Sequence, residues 1–163
     1  MKSYLQIIYS VFLVLLILVN PSFAQDVDDI RDIYQDAKMK RNNQKWTEAI
    51  SLFDKLLEKY PGSKYEDDAI FWIAYCLEKQ PEKHQEAYDT FSGLVNNHPN
   101  SVWVDDAQVH QIDLAEHFVL EGQEVYKDFL YQQLKSDRAE LQYRSAIALG
   151  KMGDKKALPV LEK

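Results

Sequence analysis

A nine-residue pattern that occurs twice is the feature that most constrains the fold of this chain. It begins at Pro61 and again at Pro99, and each copy reads proline, any residue, serine, any residue, aromatic, any residue, two aspartates and alanine. The aromatic residues are Tyr65 and Trp103. The interval between the copies lies within the roughly 20–50 residues of repeats that stack as supersecondary units. Because one such unit cannot bury its apolar face alone, the pattern predicts an array of neighbouring repeats.

The spacing of apolar residues predicts that each repeat is a pair of helices. Between residues 46 and 60 the apolar side chains recur three or four positions apart, which is typical of an amphipathic helix. Pro61 and Gly62 end this helix. Similar spacing predicts six helices in three pairs, at about residues 25–42, 46–60, 63–77, 84–98, 104–120 and 124–135. The run 69–77 is apolar on every face, so we expect the third helix to lie at the centre of the array.

Local signals within these helices give four further expectations. Ser63 and Glu66 have the spacing of a capping box at the start of the third helix. Phe53 and Phe91 occupy equivalent positions and are expected to be buried. Gly93 either only weakens the fourth helix or marks a close contact between helices. Finally, Val125 and Phe129 follow Ala87 and Phe91 at the repeat interval, which predicts a third, less regular unit with these two residues in the equivalent positions.

The N-terminal segment has the features of a secretory signal. Lys2 precedes an apolar run over about residues 4–19, and small residues at Ser22 and Ala24 suit cleavage before Gln25. The alternative, a retained membrane anchor, needs roughly 20 apolar residues. The run is shorter and contains Gln6. We therefore predict that residues 1–24 are removed and that the mature chain is exported, most simply to the periplasm with secretion as the alternative, and has no integral membrane span.

Composition and charge exclude several classes of function. The 163 residues are 46% hydrophobic and 28% charged, which is ordinary for a folded protein. The net charge of −7 argues against nucleic acid as a partner. The single cysteine, Cys76, lies in the apolar run and is not expected to be catalytic. No glycine-rich phosphate loop, nucleophile elbow or cysteine–histidine cluster occurs, so no cofactor is predicted.

The helix pairs resemble tetratricopeptide repeats. In that family the second helix of a unit carries an alanine, an aromatic residue four positions on and a proline eight further, as at Ala49, Phe53 and Pro61. The second unit repeats these three residue types at the same spacing. The longer register and the linking pattern resemble the repeats of bacterial envelope proteins such as outer-membrane assembly lipoproteins and Tol-Pal-associated periplasmic proteins. The resemblance implies an all-α fold, a right-handed solenoid of antiparallel helix pairs.

The C-terminal stretch resembles a different repeat. The small-residue helix 139–150, the turn at Gly153 and the segment 155–163 look like one short HEAT-like unit. The predicted organisation is therefore a signal at 1–24, a tetratricopeptide-like domain at 25–137 and a HEAT-like repeat at 138–163. Because one such unit is not expected to stand alone, it either caps the array or begins a longer one, and the apolar residues near the end favour the longer array. Pro159 predicts that the final helix starts late or bends.

The same resemblance assigns a partner-binding groove to one face of the first helix of each unit. Its residues run from basic through aromatic to acidic along the array: Tyr34, Lys38 and Arg41, then Phe71, Tyr75 and Glu78, then Val109, Asp113, Glu116 and His117. A groove of this kind would take an extended or helical peptide that has an apolar anchor and charges in the opposite order, acidic at one end and basic at the other. The alternative is that the aromatic residues pack against the next repeat.

Other chemistry is possible but has simpler explanations. His110, Asp113 and His117 share a helical face and could hold a metal, although they lack the usual pair of histidines four residues apart. The paired aspartates at 67–68 and 105–106 are explained by the positive end of the helix dipole. Among the tryptophans, Trp46 and Trp72 are expected in the core, while Trp103 could also be a stacking platform. No metal site or catalytic residue is therefore predicted.

These observations predict an exported, non-catalytic repeat scaffold that binds a protein or peptide partner in the bacterial cell envelope. The alternative function, from a different class, is an accessory repeat domain of a secreted or periplasmic enzyme whose catalytic part lies beyond this chain.

Overall fold

The computed structural model describes the backbone of residues 21–162 and the side chains of residues 29–162. This part of the chain forms helices and turns and contains no β-strand. The eight α-helices are α1 (Pro21–Asn42), α2 (Trp46–Lys59), α3 (Glu66–Glu78), α4 (His84–Asn97), α5 (Val104–Leu120), α6 (Lys127–Gln133), α7 (Ala139–Lys151) and α8 (Leu158–Leu161). Single 3-10 turns at Pro81–Lys83, Glu124–Tyr126 and Lys155–Ala157 precede α4, α6 and α8. The all-α repeat fold predicted from the sequence is confirmed.

The helices pack in the order in which they occur in the chain. Each contacts the next from α1 to α8, and α5 also contacts α7. One core cluster extends from α1 to α5 and a second from α5 to α8. Helix α5 joins them, because Leu114 and Phe118 face the first cluster while Ile112 and Ala115 face the second. Phe53 and Phe91 have no exposed surface, which agrees with the equivalent buried positions predicted from the repeat.

The third helix pair has a different register from the one predicted. Val125 is 73% exposed and Phe129 is only partly buried, whereas Leu130 is fully buried. The predicted equivalence of Val125 and Phe129 with Ala87 and Phe91 is therefore wrong. The reason is the length of the preceding helix, because α5 has 17 residues where α3 has 13. Helix α6 therefore begins 43 residues after α4 (127 against 84), whereas the sequence pattern recurs after 38 (99 against 61), and Leu130 takes the place of Ala87.

The linkers between helix pairs share one local structure. Ser63 Oγ accepts a hydrogen bond from the backbone N–H of Tyr65 at 3.4 Å, and Ser101 Oγ accepts one from Trp103 at 3.2 Å. Ser136 Oγ accepts one from Arg138 at 3.2 Å in the third linker. The capping box predicted for Ser63 and Glu66 is not formed, because the serine bonds two residues ahead and not three. In each linker, this turn directs the side chain of the donor residue (Tyr65, Trp103 or Arg138) toward the preceding helix pair.

These linker residues connect successive helix pairs. The Tyr65 ring stacks on Tyr34 with a centroid distance of 4.4 Å, and the Trp103 ring stacks on Phe71 at 4.3 Å. In the third linker, the same role falls to Arg138, which donates a hydrogen bond to Gln108 Oε1 at 2.9 Å. The repeated aromatic of the sequence pattern is thus an inter-repeat contact. Trp103, left open between core packing and a stacking platform, packs between repeats.

The N-terminal and C-terminal ends bear on three sequence predictions. Helix α1 begins at Pro21, before the predicted cleavage point, while the apolar run 4–19 lies outside the described residues. None of the helices in the described part has the length and hydrophobicity that a membrane span requires. Helix α8 starts late, after a 3-10 turn and with Pro159 in its first turn, as predicted. The HEAT-like identity of α7 and α8 stays a prediction.

We predict that Gly93→Ala stabilises the protein. A Cβ atom at this position would meet no atom within 4 Å, so the suggested close helix contact is absent at Gly93. Alanine in a helix interior is favoured over glycine by about 0.8–1 kcal/mol. Urea denaturation should show an increase of that size in the free energy of unfolding. Gly62→Ala is the control and should destabilise, because Gly62 has a φ of +71°.

Candidate functional site

The predicted groove residues lie on α1, α3 and α5, but two of them are not accessible. Tyr34 is 7% exposed and Phe71 is 3% exposed. Tyr34 also donates a hydrogen bond from its hydroxyl group to Asp68 Oδ2 at 3.0 Å, and burial together with that carboxylate raises its pKa to about 12. Assigning Tyr34 and Phe71 to a binding surface is therefore wrong. Both side chains instead pack against the next repeat, which was the alternative raised from the sequence.

A pocket of about 380 Å³ lies where α1, α2 and α3 meet. We call it the aromatic pocket, and it is lined by Arg41, Asn42, Gln44, Trp46, Trp72 and Tyr75. The Arg41 guanidinium lies over the Trp72 ring with its Cζ 3.6 Å from the ring centroid. Tyr75 meets Trp72 edge-on at 5.5 Å and Trp46 edge-on at 6.3 Å. The pocket thus combines a cation with three aromatic walls, a combination suited to planar or apolar groups that carry negative charge.

The positive charge at the aromatic pocket is not neutralised by the protein. Arg41 donates to Asn42 Oδ1 from Nε at 3.2 Å and from Nη2 at 2.8 Å, and its Nη1 has no partner. Neither Arg41 nor Lys38 forms an ion pair within the described part of the chain. Because the whole protein carries a net charge of −7, this end of the array is locally opposite in sign to the rest. An acidic group on a partner would complement it.

The middle of the predicted groove is a charged and aromatic cluster. The Glu78 Oε2 and His110 Nδ1 atoms are 2.7 Å apart. The His110 ring stacks on Phe91 at 5.0 Å and meets Tyr75 edge-on at 5.8 Å. Burial acts to raise the pKa of the Glu78 carboxyl, but the close approach and charge of His110, with Lys79, outweigh it and lower the pKa below its usual value. Glu78 is therefore engaged within the protein.

The predicted acidic end of the groove is compensated by helix α7. Asp113 Oδ2 lies 3.8 Å from Arg144 Nη1, and Glu116 Oε1 lies 2.6 Å from Lys151 Nζ. His117 lies 3.4 Å from Glu121, the residue that directly follows α5. The predicted trend from basic through aromatic to acidic is therefore wrong at its acidic end. The fourth helix pair, which the groove assignment did not include, supplies the opposing charges.

The other candidate chemistry does not form a site in the structure. His110, Asp113 and His117 each have a separate partner, and no group of three metal-ligating side chains is arranged to hold a metal ion among the described residues. Burial raises the pKa of the Cys76 thiol to about 11, so the reactive thiolate is scarce at neutral pH.

The sequence analysis missed three residues of this surface. Trp46 and Trp72 were expected in the core, but both are only partly buried and line the aromatic pocket. His110 was considered only as a metal ligand. Residues 69–77 of α3 are apolar on every face, so the sequence does not show that Phe71 is covered by its neighbours while Trp72 is partly exposed. For Trp46, the adjacent polar break at residues 42–45 was a usable signal, because a loop beside an aromatic leaves one of its faces uncovered.

Comparison with known families gives the class of these repeats. Residues 33–63 and 68–101 match the family model described as tetratricopeptide repeat, which together is less than half of the chain. No curated protein matches the chain. The two matches cover α1–α2 and α3–α4, the helix pairs that form the aromatic pocket. Tetratricopeptide repeats generally mediate binding between proteins, and proteins that carry them are typically non-catalytic scaffolds.

Proposed function

We propose that this protein is an exported, non-catalytic repeat scaffold of the bacterial cell envelope and that the aromatic pocket is where a protein partner binds. The observation that carries the proposal is the guanidinium of Arg41, which stacks on Trp72 in an open pocket and forms no ion pair among the described residues. The two helix pairs that build it are the ones matched by the tetratricopeptide repeat family. The N-terminal signal pattern supports export. The resemblance of the linking pattern to repeats of bacterial envelope proteins supports a location in the cell envelope.

The chemistry of the pocket selects one kind of partner segment. Aromatic and arginine side chains dominate the energy of protein interfaces when they lie in well-packed pockets. The walls formed by Trp46, Trp72 and Tyr75 suit an apolar or aromatic side chain of the partner. Lys38 and Arg41 suit carboxylates beside it. The partner is therefore an acidic segment with one apolar anchor, rather than the segment of mixed charge that the sequence analysis proposed.

Export is tested by N-terminal sequencing. Protein purified from the envelope or secreted fraction of the native host should begin at Gln25, because the basic start, apolar run and small residues agree on cleavage there. An intact Met1 in membrane pellets would support a retained anchor and contradict the proposed processing.

Binding is tested with two labelled peptides of equal length, each with one aromatic residue, in which the flanking residues are glutamates or lysines. Fluorescence anisotropy should show saturable binding of the acidic peptide only. Trp72→Ala and Tyr75→Ala should each weaken that binding by about tenfold or more, as expected for interface positions worth about 1–2 kcal/mol. The double change of Lys38 and Arg41 to glutamate should abolish it.

The matched control is the double change of Lys55 and Lys135 to glutamate, which alters the net charge equally. Both lysines are exposed, do not line the aromatic pocket and form no ion pair among the described residues. This control should leave affinity unchanged, and both double charge variants should keep nearly the wild-type circular-dichroism melt. Because Trp72 and Tyr75 also pack against the core cluster, binding by their alanine variants is measured at a temperature where circular dichroism shows them folded. Equal binding of both peptides, or undiminished affinity in the Trp72 and Tyr75 variants, would contradict the proposal.

A further inference from the structure

A second pocket, away from the aromatic pocket, lies between α4, α5 and α6 and has a volume of about 230 Å³. We call it the amide pocket, because four glutamines and an asparagine are among the residues that line it. None of the described residues in its lining is an acid, a lysine, an arginine or a histidine. In a chain with 28% charged residues, a polar pocket without charged residues in its lining is a distinct chemical environment.

Gln133 is the most unusual residue of the amide pocket. It lies at the C-terminal end of α6 and is 7% exposed, yet its side-chain amide forms no hydrogen bond within the described part of the chain. Its amide atoms are not among the fully buried polar atoms that lack a partner, so they remain accessible from the pocket although the residue as a whole is buried. Because Gln133 lines the pocket, its free amide can donate to and accept from a molecule that enters it.

Two further glutamines are only half satisfied. Gln111 is 4% exposed and donates from Nε2 to Ser92 Oγ at 2.7 Å, which leaves its Oε1 without a partner among the described residues. Gln108 accepts from Arg138 through Oε1 at 2.9 Å, which leaves its amide N–H groups free. An amide offers both donors and acceptors. The three glutamines therefore present a mixed, neutral set of hydrogen-bonding groups to one small space.

Two aromatic rings complete the wall. Tyr88 and Phe129 meet edge-on with their centroids 5.8 Å apart, and both line the amide pocket. The two rings give the amide pocket an apolar part beside its polar groups. A ligand that fits has hydroxyl groups in several directions and one apolar C–H face.

We infer that the amide pocket binds a neutral, hydroxyl-rich small ligand of about one sugar ring. Hydroxyl groups both donate and accept, and so match the free donors and acceptors of Gln108, Gln111 and Gln133. The volume is below the roughly 300–1,000 Å³ of pockets for drug-sized ligands, which restricts the ligand to a single ring. A charged ligand is disfavoured because the described lining offers no opposite charge and partial burial penalises an unpaired ion.

The test is titration of the purified chain with glucose, galactose and N-acetylglucosamine, followed by NMR of the side-chain amide groups. At least one sugar at tens of millimolar should shift the NH2 signals of Gln111 and Gln133 saturably. The signals of Gln35 and Gln123, which are exposed and do not line the pocket, should not move. No shift at Gln111 or Gln133 with any of the three sugars would overturn the inference.

Two variants separate a built site from adventitious binding. Gln133→Leu keeps the side-chain size but removes the unpaired amide, so it should weaken sugar binding at least tenfold while the melting temperature without ligand is equal or higher. Gln123→Leu is the matched control and should change neither. Sugar binding that is unchanged in Gln133→Leu would overturn the inference. So would a lower melting temperature of that variant, because it would show that the amide already has a structural partner.

Discussion

Phe91→Ala should reduce the free energy of unfolding by about 3–5 kcal/mol, the usual cost of truncating a fully buried phenylalanine. Phe91 has no exposed surface and its ring contacts Phe71 edge-on at 5.7 Å and His110 face-on at 5.0 Å. Alanine leaves a cavity between the second and third helix pairs, which are the neighbours that a repeat needs to bury its apolar face. Urea denaturation followed by circular dichroism measures the loss.

Phe129→Ala is the matched control for this prediction. The sequence repeat makes Phe129 the counterpart of Phe91, whereas the structure leaves it partly buried beside fully buried Leu130. We therefore expect a clearly smaller loss from Phe129→Ala than from Phe91→Ala. An unchanged midpoint for Phe91→Ala would show that Phe91 is not a core residue. Equal losses for the two variants would show that the register of the third pair is misassigned.

Asp68→Ala should cost about 2–4 kcal/mol of stability even though Asp68 is only partly buried. Its Oδ2 accepts a hydrogen bond from the Tyr34 hydroxyl at 3.0 Å, and its Oδ1 accepts one from Trp103 Nε1. These contacts join α1, α3 and the start of α5, which belong to three successive helix pairs. Hydrogen bonds to a charged group are worth about 1.5–3 kcal/mol each, and partial exposure reduces that value.

Asp106→Ala is the control, because Asp106 holds the same place in the second copy of the sequence pattern. It is exposed and forms no such hydrogen bond within the described part of the chain, so only its favourable position at the helix start is lost. That effect is about 0.3–1 kcal/mol. Thermal denaturation of both variants and of Asp68→Asn measures the difference. Equal losses at positions 68 and 106 would mean that the hydrogen bonds of Asp68 to Tyr34 and Trp103 contribute nothing to stability.

The helix boundaries were largely predictable because their signals are local. The apolar period and Pro61 predicted α2 within a residue, and the predicted fifth helix, residues 104–120, has the same bounds as α5. Propensity, capping and chain breakers act within a few residues of each other, so one sequence is enough to find them. The capping box was predicted wrongly because a serine before a helix can accept a hydrogen bond from the backbone either two or three residues ahead, and the sequence does not distinguish the two.

The candidate site was only partly predictable. Lys38, Arg41 and Tyr75 lie on the surface where the resemblance placed them, but Tyr34 and Phe71 are buried by Tyr65 and Trp103. The sequence showed that an aromatic residue recurs in each linker. It did not show which aromatic of the preceding helix that residue covers, because the contact joins positions far apart in the chain.

By itself, the sequence determined that this protein is an array of helix pairs, because a repeated pattern requires repeated neighbours for burial. The tertiary structure decided which residues of those helices remain open. Residues 69–77 of α3 are apolar on every face. Only the packing of Trp103 and of Phe91 from α4 separates Phe71, which they cover, from Trp72, which lines the aromatic pocket. It also decided the charge of the surface, since Arg144 and Lys151 neutralise Asp113 and Glu116 and leave Arg41 unpaired. Electrostatic compensation depends on distances between side chains, and those distances are set by how the pairs stack.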